Sequence, residues 1–492
     1  MAIYDLVKSH LINVRMLTRV MGWLLFIETL FMLFPLAACI YFGHEDWKAF
    51  AIAAGITVSA AFISTVYSRP RSSHLGKRDA FLLTALVWVV FTLFGLIPFM
   101  LCDHPLGFTD AFFEAMSGFT TTGTSVIPNI DAMSRGIHLW RAIMQWVGGM
   151  GIVLFTLAII PSLNHSGGMQ MFNAEVTGIT HDKIRPRISQ TAKVLWRIYV
   201  VLTVLLIVLL WVGPMNFFDS VCHALSAIST GGFSDTDQGI SRWHCDLYVK
   251  VVLTVFMFLG GVNFSIIFRV SRGDFKAIRN DVFRAFIYII GGTWVLFVIS
   301  IFVTGTYEDW QDLTINPLFH IVAVITSTGF TASNFEMWGA FPLALTFVLM
   351  FMGACAGSTT GGAKIDRILF LFKNARNELF RSLNPYSVMA VRINGKVVSP
   401  DLVSKVIGFL CIYSLLIIGG GIALTACGTP IVDAFFASFS CMSNTGLGAG
   451  VTSGGYETLR PIAKWILSAL MLIGRLEIFT VLVLFTRAFW RR

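Results

Sequence analysis

The sequence predicts an all-α polytopic membrane protein with ten transmembrane helices and four re-entrant pore helices. Three observations predict this fold: charged residues are rare, long apolar runs recur along the chain, and one short apolar segment with a polar end occurs four times. Of the 492 residues, 56% are hydrophobic and only 13% are charged. Soluble domains carry about a quarter charged residues. Most of the surface of this chain must therefore face lipid, and the lipid bilayer is its first predicted partner.

The formal net charge of +9 is the observation that could favour another class, the nucleic-acid-binding proteins. The basic residues lie in short clusters between apolar runs, without a basic face or interleaved aromatic residues, so no nucleic-acid partner is expected. The eight cysteines stand singly, without a C-x-x-C pair. Their spacing indicates neither a disulfide framework nor a zinc site.

Ten apolar runs are long enough to cross a bilayer, for which about 20 residues are needed. Three of the runs are imperfect, because they contain Glu28, a Gly-rich polar stretch, or Arg475 together with Glu477. The imperfect runs are 20–42, 341–372 and 462–486, and the charge-free runs are 49–68, 80–102, 142–174, 198–218, 251–268, 285–307 and 406–432.

The loops between these runs differ in charge. Lys and Arg concentrate in alternate loops and near both ends of the chain, whereas the other loops hold few of them. Because basic residues accumulate on the cytoplasmic side of membrane proteins, both termini are predicted to be cytoplasmic.

One segment occurs four times between pairs of spans. In each copy an Asp or Asn stands thirteen residues before a Gly, and the intervening residues are mostly apolar first and rich in Ser and Thr last. The Asp or Asn is expected to cap a helix of about ten residues, which at about 1.5 Å per residue covers roughly half a bilayer. A single copy could equally be an interfacial helix. The four copies are 110–123, 219–232, 316–329 and 433–446.

The polar end of each copy indicates what the four do together. Irregular backbone at membrane depth is tolerated only where it is buried in protein or lines a wet cavity. Four such segments converging on one axis would make a pore lined by oxygen atoms, which suits a cation. A glycine at each fixed position is expected, because such a backbone needs left-handed angles.

Three further strings accompany the four copies: Gln145-Trp-Val-Gly-Gly-Met-Gly, Gly353-Ala-Cys-Ala-Gly-Ser-Thr-Thr-Gly-Gly and Gly474-Arg-Leu-Glu-Ile-Phe. With them, residues 80–492 resemble the Trk/Ktr/HKT superfamily of potassium transporters, and the two extra N-terminal spans resemble its TrkH branch. The resemblance implies four pseudo-repeats of helix, pore helix, filter and helix around one pore, preceded by a two-helix membrane domain. The implied divisions are 1–72 for that domain and 73–178, 179–272, 273–396 and 397–492 for pore repeats 1 to 4.

By the same resemblance, three residues of each repeat form a selectivity filter, where backbone carbonyl oxygens replace the hydration shell of K⁺. Only the final glycine is common to all four repeats, so the coordination is expected to be less regular than in a symmetric potassium channel. In the family, Gly at the position of Gly123 accompanies a preference for K⁺, and Ser accompanies Na⁺ transport. The implied filter residues are Thr121, Thr122 and Gly123; Thr230, Gly231 and Gly232; Ser327, Thr328 and Gly329; and Asn444, Thr445 and Gly446.

Two features of the imperfect spans are predicted to gate the pore. Each glycine lowers helix stability by about 1 kcal/mol relative to alanine, so the Gly-rich stretch of the run 341–372 should break its helix. The resemblance implies that this stretch obstructs the pore and that Arg475 projects into the ion path as an electrostatic barrier. The alternatives are a close-packed helix crossing for the stretch and a neutralised helix contact for Arg475. The implied gate residues are Gly353, Gly357, Ser358, Thr359, Thr360, Gly361, Gly362, Lys364 and Arg475.

Other ionisable side chains carry weaker expectations. Glu114, inside the first pore helix, could lend negative potential or bond locally, and Glu28 is expected to have a packing role. Glu477 is expected to lie on a different side of its helix from the gate arginine and to be a weak partner for it. His223 and His320 are expected to face the outer surface.

The sequence predicts potassium uptake across the cytoplasmic membrane of a bacterium, with K⁺ as the transported ion and no organic cofactor. No enzyme is predicted, because intramembrane ionisable residues are few. The alternatives are a K⁺ symporter coupled to Na⁺ or H⁺ and a polytopic membrane enzyme; alternating access would usually show two inverted repeats. The resemblance implies a homodimer and a cytosolic TrkA-like nucleotide-binding regulatory ring, for which the basic segment 373–396 is a candidate docking surface.

Overall fold

The computed structural model of the chain is almost entirely helical, and it describes residues 12–68, 76–151, 188–243, 246–305, 309–384, 386–387, 389–398 and 400–491. The only strands in these ranges, β1 (Arg392–Ile393) and β2 (Lys396–Val397), pair antiparallel. The described helices are α1 (Val14–Phe42), α2 (Trp47–Tyr67), α3 (Lys77–Gly95), α4 (Ile97–Leu101), α5 (Phe108–Phe119), α6 (Arg135–Gly149), α7 (Ile188–Val212), α8 (Phe217–Ile228), α9 (Leu247–Gly261), α10 (Phe264–Ser271), α11 (Asp281–Thr304), α12 (Trp310–Ile325), α13 (Ala340–Met352), α14 (Ile365–Leu383), α15 (Pro400–Ala426), α16 (Ile431–Ser443), α17 (Pro461–Arg475), α18 (Ile478–Leu482) and α19 (Arg487–Trp490).

Six spans in the described part of the chain are long and apolar enough to cross a membrane, and two bent pairs of helices raise this number to eight. The chain is therefore a multi-pass membrane protein. Most of the predicted span 142–174 lies outside the described residues. The six spans are α1, α2, α3 with α4, α7, α11 and α15, and the bent pairs are α9 with α10 and α17 with α18.

Two spans are broken where the sequence indicated continuous helices. α9 and α10 meet at 105°, and α17 and α18 meet at 114°. At the first break the Asn263 side chain accepts from Ser265 N at 2.7 Å and donates to Ala356 O at 2.7 Å. At the second break Glu477 has a left-handed φ of 56°. Each pair still passes as one span, but the bends were not predicted, because apolar composition does not show where a side chain takes over a backbone hydrogen bond.

The break predicted for the run 341–372 is confirmed. α13 ends at Met352 and α14 begins at Ile365. Gly353 and Lys364, at the two ends of the break, have left-handed φ angles of 63° and 73°. The intervening residues 353–364, hereafter the gate loop, cross the centre of the molecule without regular secondary structure.

Four short helices are buried at this centre: α5, α8, the second half of α12, and α16. In α5 every residue from 111 to 119 is buried. By contrast, only 22% of the apolar window of the span α11 is buried. The short helices are therefore enclosed by protein, whereas the long spans present apolar side chains to lipid.

The predicted capping role of the anchor residues was wrong. α5, α8 and α16 begin two residues before Asp110, Asp219 and Asp433, which are therefore third in their helices. In α8 the cap is Asn216, whose side chain accepts from the backbone N of the third residue at 2.9 Å. α12 begins at Trp310, well before the anchor of repeat 3. A carboxylate in the first turn still favours a helix through its dipole, which explains the recurrence of Asp there.

The two N-terminal helices, α1 and α2, pack against each other along their length, and α1 also packs on α6. Gly22 allows a close approach, because a Cβ there would lie 2.9 Å from Ala61 O. Gly43 ends α1 with a left-handed φ of 73°. The two helices thus pack as a pair beside the first repeat. The exact divisions of the chain remain predictions, and those at 72–73 and 178–179 lie outside the described residues.

Candidate ion pathway

Each of the four central helices ends in the same irregular backbone. The first residue of the predicted filter triplet has φ between 51° and 55°, and the glycine that closes the triplet has φ between 73° and 84°. A left-handed non-glycine residue costs roughly 1–2 kcal/mol. Such strain is found mainly at functional sites. The first residues are Thr121, Thr230, Ser327 and Asn444, and the glycines are Gly123, Gly232, Gly329 and Gly446.

The middle residue of each triplet ties the segment back to its own helix. Its backbone N–H donates to the carbonyl five residues earlier, at 2.8–2.9 Å in all four repeats. The four strained turns therefore have one common hydrogen-bonding pattern. The bonds run from Thr122 to Ser117, from Gly231 to Ser226, from Thr328 to Ala323, and from Thr445 to Ser440.

The four triplets close into a ring, hereafter the filter ring. A Cβ on the closing glycine of one repeat would collide with the carbonyl oxygen of the middle residue in the next repeat. This relation holds at all four junctions, including the junction from repeat 4 back to repeat 1. Only glycine fits these positions, and the carbonyl groups of all four repeats meet around one axis. The colliding pairs are Gly123 with Gly231 O, Gly232 with Thr328 O, Gly329 with Thr445 O, and Gly446 with Thr122 O.

A buried ion pair supports the ring behind repeat 1. Arg141 Nε donates to Glu114 Oε1 at 2.8 Å, and both side chains are at most 1% exposed. Glu114 also accepts from Val126 N, and Arg141 donates to Ser234 O in repeat 2 at 2.7 Å. Of the two roles considered for Glu114, local bonding is the one observed. Breaking such a pair leaves an unpaired buried charge, which costs about 3–5 kcal/mol.

Two lysines that the sequence interpretation missed bind anchor residues of pore helices. Lys464 Nζ lies 2.6 Å from Asp110 Oδ1, and Lys250 Nζ lies 2.8 Å from Asn316 Oδ1. In each case the lysine of one repeat binds the anchor of the following repeat. A signal existed in the sequence, because each lysine stands 31 residues after its own anchor. The two lysines therefore link repeat 2 to repeat 3 and repeat 4 to repeat 1.

Two histidines near the pore-helix starts are not at the surface. His223 is fully buried, with Nδ1 2.9 Å from Asp219 O. His320 is 4% exposed, with Nε2 3.1 Å from Thr346 Oγ1. The expectation that they face the outer surface was wrong, because both lie on the helix face that packs into the protein.

The gate loop lies directly against the filter ring. Thr359 Oγ1 donates to Ile228 O and Gly260 O in repeat 2, each at 3.2 Å. The backbone N of Gly361 donates to Ser327 Oγ in repeat 3 at 2.8 Å. A Cβ on Gly361 would also collide with Ser443 O in repeat 4. The loop therefore contacts three of the four repeats at the ends of their pore helices.

Arg475 connects the gate loop to the remaining repeat. Its Nη1 donates to Thr359 O at 2.7 Å, and its Nη2 donates to Gly148 O at 2.6 Å and Gly149 O at 2.7 Å. The Gly148 and Gly149 carbonyls stand at the end of α6 in repeat 1. The guanidinium thus lies among carbonyl oxygens at the centre of the molecule. The predicted gate residues of the loop and Arg475 are brought together.

Glu477 pairs with Arg367 instead of with Arg475, as the two-residue spacing indicated. The Arg367 guanidinium also lies 3.8 Å from the centroid of the Phe409 ring. A cavity of about 100 Å³ lies beside the gate loop, and Lys364 and Arg475 contribute to its wall with these groups. Three of the four charged side chains that line this cavity are therefore basic.

Together, the fold and the ring define a multi-pass membrane protein of the cation-transport class, built from four pore-helix units around one axis. The chain belongs to the TrkH family, described as cation transport proteins, whose family model matches residues 48–492. The predicted family and fold class are confirmed.

Relatives cover nearly the whole chain. A Trk system potassium uptake protein TrkH from Halomonas elongata is 38% identical over 98% of this chain and 100% of its own length. The TrkH protein of Escherichia coli K12 is 37% identical, over 97% of this chain and 99% of its own. The crystal structure of the potassium transporter TrkH from Vibrio parahaemolyticus is similar to this chain with a TM-score of 0.88, at 32% identity, over 97% of this chain and 100% of that one.

Proposed function

We propose that this chain takes up K⁺ through the filter ring. The observation that carries the proposal is the closure of the ring, in which each repeat's glycine lies against the next repeat's carbonyl. Carbonyl oxygens arranged around one axis replace the hydration shell of a potassium ion. The relatives named as potassium uptake proteins support the choice of ion.

The gate loop and Arg475 together close this pathway. A cation leaving the ring meets the loop, which is hydrogen-bonded to repeats 2 and 3, and then the positive guanidinium of Arg475. The guanidinium repels the cation. It also donates hydrogen bonds to carbonyl oxygens that could otherwise coordinate the cation. Opening requires the loop to leave Ile228, Gly260 and Ser327. It also requires Arg475 to release the end of α6.

The proposed setting is the cytoplasmic membrane, with both termini cytoplasmic, in a homodimer that binds a TrkA-like nucleotide-binding ring. The names of the relatives support a partner protein, since they describe each relative as part of a Trk system. The second half of α14 suits docking because Phe372, Leu379 and Leu383 are 66–83% exposed. Basic side chains, such as Arg376, lie beside them.

The test is uptake of K⁺, Rb⁺ and Na⁺ into liposomes that hold this chain alone. We expect K⁺ to flow down its own gradient with no nucleotide and no Na⁺ or H⁺ gradient, and Na⁺ to flow more slowly. Empty liposomes give the leak, and valinomycin gives the releasable K⁺. K⁺ uptake that needs an imposed Na⁺ or H⁺ gradient would indicate a symporter instead of a passive pore. No cation flux in either the unchanged chain or its Arg475→Ala variant, which removes part of the proposed closure, would contradict the proposal.

A further inference from the structure

The second filter segment differs from the other three at its middle residue. In repeats 1, 3 and 4 this residue is a threonine, whose hydroxyl lies 2.8 Å from the hydroxyl of the residue two positions earlier. In repeat 2 it is Gly231, which has no side chain. The local hydroxyl pair that braces the other segments is therefore missing there. The three pairs are Thr120 with Thr122, Thr326 with Thr328, and Ser443 with Thr445.

A side chain from repeat 1 fills the space beside Gly231. A Cβ on Gly231 would collide with the side-chain amide of Gln145, which is fully buried. Gln145 Oε1 accepts from Ser226 Oγ at 2.7 Å and from Phe233 N at 3.2 Å. Ser226 lies in the pore helix and Phe233 directly follows the closing glycine. One amide oxygen thus holds the filter segment of repeat 2 on both sides.

The sequence around Gln145 has counterparts in the other repeats. Gln145 stands three residues before Gly148, and a methionine stands three residues before the corresponding glycine of each other repeat. The register is structural, because Gly148, Gly260 and Gly474 all lie against the carbonyl nine residues after the anchor of their own repeat. By position, three of the four junctions therefore combine the methionine of one repeat with the middle filter threonine of the next, and at the fourth junction Gln145 of repeat 1 faces Gly231 of repeat 2. The methionines are Met257, Met350 and Met471.

We infer that Gln145 is a positioning residue that sets ion selectivity by doing for repeat 2 what the threonine side chain does within each other segment. The inference rests on the proposed role of the filter ring. Its consequence for the ion is direct, since the Gly231 carbonyl is the one that lies against Gly123 at the junction of repeats 1 and 2. A shift of the Gly231 peptide changes the size of the ring at that junction.

The test is a set of variants that replace the glutamine and glycine at this junction with the methionine and threonine found at the other three. The K⁺/Na⁺ permeability ratio of each variant is measured from reversal potentials in bilayers. Gln145→Met keeps the volume and removes the acceptor, so the ratio should fall about fivefold through two lost hydrogen bonds. Gly231→Thr alone collides with Gln145 and should lower both flux and selectivity. The double variant Gln145→Met with Gly231→Thr rebuilds the threonine and methionine combination, and its ratio should return to within about twofold of the original.

Thr254→Ala is the matched control, since it removes a hydroxyl from the second helix of a repeat that donates to Lys250 O of its own helix at 2.6 Å. Its permeability ratio should not change. An unchanged ratio in Gln145→Met, or a double variant no better than Gly231→Thr alone, overturns the inference. Thermal unfolding of each variant shows whether a change in the permeability ratio accompanies a loss of stability.

Failure of this inference is distinguishable from failure of the proposed function. Gly123→Ser, in the same apparatus, tests the filter ring itself. If Gly123→Ser lowers the K⁺/Na⁺ ratio and the Gln145 variants do not, the ring is the filter and Gln145 does not position it. If neither changes the ratio, the ions take another path and both proposals are wrong.

Discussion

The filter ring and the gate loop are both irregular backbone at the centre of the molecule, but they are held in different ways. The ring is held by backbone hydrogen bonds and by contacts between glycines and carbonyls, and each arrangement occurs four times. The loop occurs once. Backbone bonds tie it to α9, as from Cys355 N to Gly261 O, and side chains add the remaining attachments: the hydroxyls of Thr359 and Ser327 and the guanidinium of Arg475. The proposed filter is thus built mainly from one backbone pattern that all four repeats share, and the proposed gate is attached in part by side chains that can be replaced one at a time.

The largest effect is expected from breaking the ring. In Gly123→Ser the new Cβ collides with Gly231 O, and the residue keeps a left-handed φ of 84°. A strain of about 2 kcal/mol corresponds to a change on the order of thirtyfold, so the K⁺/Na⁺ permeability ratio should fall by that order. Reversal potentials measure the ratio.

The matched control for this prediction is Gly43→Ser at the end of α1. Gly43 also has a left-handed φ, of 73°, but a Cβ there would meet nothing within 4 Å. It carries the backbone strain without the collision, and its selectivity should equal that of the unchanged chain. Equal permeability ratios in the two variants would show that Gly123 has no part in selection.

The next largest effect is expected from Arg475→Ala. The substitution removes a positive charge from the proposed ion path and three hydrogen bonds that link the gate loop to α6. A unit charge about 10 Å from a cation contributes roughly 1.7 kcal/mol at an effective dielectric constant of 20, so basal K⁺ flux per folded molecule should rise about tenfold.

Arg487→Ala, which removes an arginine from the exposed helix α19, is the control for the loss of charge. Liposome flux is measured with thermal unfolding of the same samples. A lower yield of folded protein with unchanged flux per molecule would favour the alternative of a neutralised helix contact for Arg475.

The smallest effect is expected from a single attachment of the gate loop. Thr359→Val keeps the shape of the side chain and removes the hydroxyl that donates to Gly260 O and Ile228 O. Loss of about one hydrogen bond in net free energy should raise basal flux about threefold, with the K⁺/Na⁺ ratio unchanged. Ser358→Ala removes a hydroxyl that bonds within the loop and should leave flux unchanged. A change of selectivity in Thr359→Val would mean that loop and ring are one unit.

Much of this arrangement could be predicted from the sequence, because it is repeated. The thirteen-residue interval located the four closing glycines, the resemblance supplied the triplets, and the Gly-rich stretch identified the break before Ile365. The predicted capping by Asp110 failed because helix starts depend on residues before the pattern begins. The bend at Asn263 lies in an apolar run, where only the partner Ala356 O, far along the chain, reveals it.

Gln145 shows most clearly what could not be predicted from the sequence. It belongs to a string that the sequence analysis singled out, yet its role depends on Gly231, 86 residues later, in a different repeat. Hydrophobic pattern and helix propensity carry no information about such a contact. The methionines at the matching positions were a usable signal, but they could be aligned only once the structure had fixed the register of the second helices.

The closure of the ring also bears on how the chain matures in the membrane. Each closing glycine is held against a carbonyl of the following repeat, and the last is held against Thr122 of the first. The ring therefore has all four of its junctions only when all four repeats are in place. A chain cut short after three repeats would lack two of the junctions, from Gly329 to Thr445 O and from Gly446 to Thr122 O.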